Sequence, residues 1–249
     1  MNITNKTILI TGGGSGIGFQ IAKQLSAKGN KVIITGRTEE KLRKAAEQLT
    51  GVSYIAADVN KTEDIDRLSA HLSDNFNGLD ILINNAGQAY YCDLNTATDI
   101  AAKAAVEIQT NYLAVVNTIE KLLPLLKKSS EAAIVNVTSI VAFVPNSIIT
   151  TYSTSKAALH SYTQSLRYAL SKSSSIKVFD LMPPLVDTEL SGGIGGANGI
   201  PPSEVADSLI SAFEQDNFEI HTGNTAYIYE LSRTAPEDAF KVMNQDREV

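Results

Sequence analysis

The sequence predicts a single-domain α/β fold, a doubly wound parallel sheet of about seven strands with helices on both faces. Two observations predict it. Short runs rich in β-branched residues, such as TILIT (7–11) and KVIIT (31–35), recur along the chain, as strands buried on both faces require. Between them lie segments whose apolar residues repeat at helical spacing. No linker or fixed-period repeat divides the 249 residues, so one domain over 1–249 is expected.

Each element has a local reason. IGFQIAKQLSAKG places Ile17, Ile21 and Leu25 on one helical face, with Gly29 positioned to end the helix. Thr38 reads as an N-cap for EEKLRKAAEQL, in which Leu42, Ala45 and Leu49 share a face. VSYIAAD then predicts a third strand, TEDIDRLSAHLSDNF an amphipathic helix and LDILINN a fourth strand. A helical region over 97–128 leads to a fifth strand, AAIVNVTS; a helix from near Thr151 leads to a sixth, IKVFDLM. SGGIGGANG (191–199) holds five glycines and is expected to form no regular element. TAPE (234–237) reads as a capping box, with Thr234 as cap, opening a short C-terminal helix, DAFKVMNQ.

Composition excludes several functions. A net charge of −6 leaves no electrostatic footprint for nucleic acid or an anionic membrane. The apolar run before the first glycines is too short for a signal-peptide core, and no stretch is long enough to span a bilayer, so a cytoplasmic protein is expected. The lone Cys92 cannot pair internally and reads as a small buried hydrophobe. No metal site is expected.

TGGGSGIG (11–18) follows the first strand and opens directly onto the first helix. In that context Gly12, Gly14, Ser15, Gly16, Ile17 and Gly18 form a loop over which a pyrophosphate can approach a helix N-terminus, where free N–H groups and the dipole favour anions. A dinucleotide is therefore expected. The second strand ends in Gly36-Arg37 instead of an acidic residue that would hold a ribose 2′-hydroxyl. An arginine there can pair with a 2′-phosphate at two oxygens, so NADP is expected over NAD.

Two tyrosines stand four residues before a lysine, Tyr152 with Lys156 and Tyr168 with Lys172. A lysine one turn away stabilises a phenolate and tunes the phenol for proton transfer. With nine tyrosines, roughly half a match of this spacing arises by chance, so spacing decides nothing. Position does. Ser139 ends the fifth strand at the carboxyl edge where such sheets bind ligands, and Tyr152 falls in the first turn of the next helix. Tyr168 lies about four turns further on and reads as a surface residue.

TGGGSGIG, Asp58, NNAG (84–87), Asn111, Ser139, YSTSK (152–156) and PPLVDT (183–188), in this order, resemble the motifs of the short-chain dehydrogenase/reductases over residues 4 to 220. AAIVNVTS, SKAALHS and PPLVDTEL further resemble the DltE-like oxidoreductases of Gram-positive bacteria. The resemblance implies a Rossmann-fold enzyme that transfers hydride between NADP and a carbonyl or alcohol. It implies Tyr152 as proton donor, Ser139 as holder of the substrate oxygen, Lys156 on the phenol and the nicotinamide ribose, and Asn111 holding a water that links Lys156 to solvent. It also implies cofactor contacts from Asp58 and Val59, from Asn85, Ala86 and Gly87, and from Pro183, Val186 and Thr188. The chain departs from the usual pattern at Pro184 and Ala142, where glycine is common, and in its C-terminal tail, which lacks the usual glycine ending.

The resemblance places a mobile substrate lid at 189–203 and implies a small-molecule substrate and a homodimer or tetramer. The region 97–128 and the helix after Thr151 would supply the dimer interface. Tyr90, Tyr91, Phe143 and Ile148 are candidate pocket residues, and His160 reads as packing against a subunit. An idle nucleotide sensor would have no need of Ser139, Tyr152, Lys156 and Asn111 together. A sugar-nucleotide epimerase or dehydratase generally carries a longer C-terminal substrate domain.

Overall fold

The computed structural model describes residues 1–76 and 78–245. Its strands are β1 (Thr7–Thr11), β2 (Lys31–Gly36), β3 (Val52–Ala56), β4 (Ile81–Asn84), β5 (Ala133–Val137), β6 (Lys177–Met182) and β7 (Glu219–His221). They form one parallel sheet in the order β3-β2-β1-β4-β5-β6-β7. The chain reverses its direction of winding between the neighbours β1 and β4, and ligands bind outside the carboxyl ends of strands at such a point.

Strand periodicity sorts the core into two layers. Leu9, Ile33, Leu82, Ile134 and Val178 stand in register across five strands. They meet Leu68 and Leu72 of α3 (Thr62–Phe76), Ile119 and Leu122 of α5 (Ala114–Leu126), and Leu159 of α6 (Thr150–Ser171). The alternate residues Ile8, Ile10, Ile34, Ile83 and Val135 face Ile21 and Leu25 of α1 (Gly16–Ala27), Leu42 of α2 (Glu39–Ala46), and Leu209 and Phe213 of α7 (Pro202–Gln215). Each buried Leu or Ile contributes about 1.5–3 kcal/mol by leaving water, so the pairing register is strongly held.

Most expected boundaries hold. Gly29 follows the end of α1 with φ of 79°, and its N–H donates to the Ser26 carbonyl. Thr38 is the N-cap residue of α2, although its side chain makes no capping bond. Two expectations change. The region 97–128 contains α4 (Ile100–Ile108), a π-helical turn (Gln109–Leu113) and α5. Thr234 is the last residue of α8 (Thr225–Thr234), not the cap of α9 (Pro236–Asn244). Its hydroxyl donates back to the Glu230 carbonyl at 2.9 Å, inside α8, and Ala235 takes the cap position of α9. Pro236 still opens α9. No helix among the described residues is long and apolar enough to cross a membrane. The non-glycine tail beyond Gln245 lies outside the described residues.

Candidate active site

A cleft of about 560 Å³ runs along the carboxyl ends of the strands, from Arg37 and Asp58 to Lys156 and Pro183. Its floor is stitched together by Thr11 and Asn85. The Thr11 hydroxyl accepts from the backbone N–H groups of Asn85 and Ala86, each at 3.0 Å. The Asn85 amide donates to the carbonyls of Thr11 and Gly12 at 3.0 and 3.1 Å. Glycine is required at position 12, where φ is 66° and a Cβ would lie 2.9 Å from the Ala86 Cα. Ser15 precedes α1 in extended conformation, makes no side-chain cap and lines the cleft with Gly14, Gly16 and Ile17. The first N–H groups of an α-helix have no partner inside it, so α1 offers donors where the glycine loop leaves room.

Gly18 does not line the cleft. A Cβ there would lie 2.5 Å from both the Asn85 amide nitrogen and the Gly12 carbonyl oxygen, so Gly18 lets α1 approach the floor. Val59, Asn85, Ala86, Gly87, Val186 and Thr188 all line the cleft, as do Arg37 and Asp58. Lys41, which the sequence did not single out, joins Arg37 and pairs with Glu189 at 2.5 Å. That ion pair reaches from α2 to the segment expected to form a lid.

At the other end, α6 and the end of β5 bring Ser139, Tyr152 and Lys156 together. Lys156 is buried and donates to the Val137 carbonyl at 2.7 Å, with its ammonium 5.6 Å from the centre of the Tyr152 ring. The Ser139 hydroxyl accepts from Val141 N–H at 3.3 Å and lies 3.4 Å from the Pro183 carbonyl oxygen, to which it donates. Asn111 sits in the π-helical turn, fully buried and outside the cleft lining. Its amide accepts from Gln88 N–H and donates to the Gln88 carbonyl, both at 2.8 Å, and also donates to the Ser155 hydroxyl. By contrast Tyr168 is 68% exposed, with Lys172 4.7 Å from its ring centre; the second pair belongs to the surface.

Burial dominates the electrostatics of the reactive end. Burial lowers the Lys156 pKa to about 8, opposed by the charge of Asp180. Burial pushes the Tyr152 phenol above its ordinary range, and the Glu107 charge pushes it further, while a hydrogen bond with Ser139 works the other way. The protein's own groups therefore oppose the acidified phenol that the sequence suggested. Glu107 of α4 is wholly buried; burial raises its pKa, and one oxygen accepts from Tyr90 N–H at 2.7 Å.

None of Tyr90, Tyr91, Phe143 and Ile148 lines the cleft. Phe143 instead packs edge-on against His160, His221 and Tyr229, and Ile148 packs in the cluster beside it. The apolar wall comes from Ile140, Val141, Ile149, Leu190, Ile194 and Met243. Met243 reaches the cleft because its carbonyl accepts from the Asn146 amide at 2.7 Å. His160 meets Asp180 within the same chain, at 2.7 Å. Cys92 is buried, as expected.

The segment after Thr188 is more ordered than its glycines suggested. It forms short 3-10 turns at Glu189–Ile194 and Gly196–Asn198. Thr188 is the N-cap of the first, its N–H donating to the Ser191 hydroxyl, and a parallel bridge joins Ile200 to Val186.

A family model described as short chain dehydrogenase matches residues 6–198. The chain belongs to that family. An uncharacterized oxidoreductase of Bacillus subtilis (strain 168), DltE, is 34% identical over 249 residues, 98% of each chain. An uncharacterized oxidoreductase of Staphylococcus aureus (strain MW2) is 32% identical, over 86% of this chain and 93% of that one. A short chain dehydrogenase from Burkholderia cenocepacia J2315, solved in complex with NADP, superposes with a TM-score of 0.86 at 27% identity, covering 99% of this chain and all of the other. A short chain dehydrogenase/reductase from Burkholderia phymatum, in complex with NAD, shares the fold with a TM-score of 0.88 at 21% identity, over 100% of this chain and 99% of that one.

The raised pKa of Glu107 carries a stability consequence. A carboxyl that folding makes harder to ionise contributes stability fully present below its unfolded value of 4.5, lost as pH rises through the raised folded value. Glu107→Gln keeps an acceptor for Tyr90 and has no charge to bury. Its stability relative to wild type should rise between about pH 4 and about pH 7.5. Urea unfolding at both pH values measures this, and a difference that is the same at each would contradict it.

Proposed function

We propose that the protein is an NADP-dependent reductase of a carbonyl substrate, or the corresponding alcohol dehydrogenase, working through Tyr152, Ser139 and Lys156. The observation that carries this reading is the buried Lys156 beside the Tyr152 ring, at one end of a glycine-floored cleft. That cleft suits a dinucleotide. Its floor has the close backbone approaches that only Gly12 permits, and the N-terminus of α1 faces it beside Ser15. Gly12, Gly14, Ser15, Gly16 and Ile17 would hold the pyrophosphate. Asp58 and Val59 would hold the adenine, and Asn85, Ala86 and Gly87 its ribose. Pro183, Val186 and Thr188 would flank the nicotinamide, and the cofactor supplies the hydride.

The chain's own residues handle the proton. The Ser139 hydroxyl, positioned by the Val141 N–H, turns its one proton from the Pro183 carbonyl to the substrate oxygen and holds it as charge develops. Tyr152 donates its proton to that oxygen. Because burial and Glu107 hold this proton tightly, Lys156 must be charged for the phenolate to form at neutral pH. Bringing even an ordinary phenol down by about 3 pKa units requires roughly 4 kcal/mol of such stabilisation, and the raised starting point of Tyr152 adds to it. Asn111 acts by holding the Gln88 backbone and Ser155 in the turn that separates Tyr152 from Lys156.

Arg37 supports NADP over NAD. It lines the cleft beyond Gly36, with Lys41 nearby and no acidic side chain at the end of β2. A charge-assisted contact worth about 1.5–3 kcal/mol corresponds to about ten- to a hundredfold in affinity. Segment 189–203 is the lid. Its ends are fastened by the Val186–Ile200 bridge and by the Lys41–Glu189 pair, which is exposed and therefore weak.

Tyr152→Phe removes the proton donor without changing the ring. Turnover of NADPH with any ketone or aldehyde the wild type reduces should fall by about 10²–10⁴-fold, while Tyr168→Phe stays at the wild-type rate. Undiminished turnover in Tyr152→Phe sinks the assignment. For the lid, limited proteolysis should cut within 189–203 in the free protein, and more slowly with NADPH and substrate together. Equal rates would show that this segment does not close.

A further inference from the structure

The C-terminal helices pack onto the reactive end of the cleft, beyond residue 198 where the family model ends. Ile140, Val141 and Ile149 form one cluster with Ile228 of α8 and Ala239 of α9, and the Tyr152 ring, Ile194 and Met243 pack against it. Three hydrogen bonds hold α9 there. The Asn146 amide donates to the Met243 carbonyl at 2.7 Å, and Ser147 N–H donates to the Asn244 side-chain oxygen at 2.7 Å. The Asn244 amide in turn donates to the Pro145 carbonyl at 3.1 Å. Met243 thereby joins Ser139 and Tyr152 in the cleft lining.

The wall at this end is apolar, and its one amide is already engaged. Asn146 lines the cleft, but its NH₂ group goes to Met243 and its side-chain oxygen accepts from Ile148 N–H at 3.1 Å. Leu190, also in the lining, is 46% exposed, an apolar surface that a ligand would take out of water. Among the described residues, the charged members of the lining are Arg37, Lys41, Asp58, Glu189 and Lys156. Arg37 and Asp58 stand at the other end of the cleft, Lys41 and Glu189 pair with each other, and Lys156 donates to Val137. A carboxylate on the body of a substrate would lose water against this wall without meeting a free cation of the described lining. An apolar body gains about three- to fourfold in affinity for each methylene it buries there.

We propose that the substrate carries its carbonyl on an uncharged, apolar body, and that Met243 of α9 is a specificity-determining residue for that body. This rests on the reading that Ser139 and Tyr152 receive a carbonyl oxygen. It is tested by binding alone, whereas the catalytic reading is tested by turnover in Tyr152→Phe, so the two failures are distinguishable.

The probes are primary amides, which present a carbonyl oxygen that NADPH does not reduce, titrated by ligand-observed NMR into the protein with NADPH bound. From butanamide to octanamide the affinity should rise about threefold for each added methylene. An octanamide analogue ending in a carboxylate should bind at least about tenfold more weakly than octanamide. Met243→Ala should weaken octanamide by about threefold or more and leave butanamide unchanged. Met243→Lys should narrow the gap between octanamide and its carboxylate analogue by about threefold or more. A merely structural role for Met243 would weaken every length alike and bring no gain to the carboxylate. The proposal is overturned if no amide binds, if affinity does not grow with length, or if the carboxylate analogue binds as well as octanamide. It is equally overturned if the Met243 variants shift all probes together. Should Met243→Lys fail to fold, Met243→Ala decides alone: a loss confined to the longer amides upholds the proposal, and a uniform loss or none overturns it.

Discussion

Lys156 donates from inside the protein to the Val137 carbonyl, and much of the site's geometry follows from that contact. It fastens the first turns of α6 to the carboxyl end of β5. Tyr152, four residues earlier on α6, is thereby fixed over the same strand end as Ser139. The contact is tenable because the residue beside Val137 leads to Asp180, which gives the buried ammonium an opposite charge. The second Tyr-x-x-x-Lys pair has the same spacing and nothing comparable beneath it.

The two ends of the cleft are built on different physics. The glycine end is made from backbone: Thr11 and Asn85 join β1 to β4 at the point where the winding reverses, and glycine lets the loop pass within contact of Ala86. The other end is made from buried titratable groups. Glu107 raises the affinity of Tyr152 for its proton, and the Asp180 charge opposes the lowering of the Lys156 pKa by burial; the two carboxylates thus act on different members of one pair. Lowering the Tyr152 pKa is work left to the Lys156 charge and to the cofactor, so proton release is expected only in the loaded site.

What could be read from the sequence was what local chemistry records. Strand runs, the glycine loop opening a helix and Gly29 after α1 are all short-range patterns, and the structure has them. The separation of Tyr152 from Tyr168 was also legible, because position along a helix after a strand end is a short-range fact. The misses are long-range. Asp180 is 20 residues from His160 and 42 from Thr138, and Tyr90 and Glu107 meet across 17 residues. No spacing rule brings these together. Phe143 was a candidate for the pocket with core packing as its alternative, and it follows the 3-10 turn at Ile140–Ala142 to pack against His160. Met243 enters the cleft because Pro145, Asn146 and Ser147 bond to α9, nearly a hundred residues away in sequence.

The central claim is that this cleft is an NADP site whose reactive end is Ser139, Tyr152 and Lys156. Titration with NADPH and, in parallel, NADH, followed by nicotinamide fluorescence, tests it most directly because no substrate is needed. The account predicts saturable NADPH binding at least about tenfold tighter than NADH, the discrimination expected from one charge-assisted contact at Arg37. Equal affinities would reduce Arg37 to a solvated charge, and no binding of either nucleotide would contradict the account as a whole.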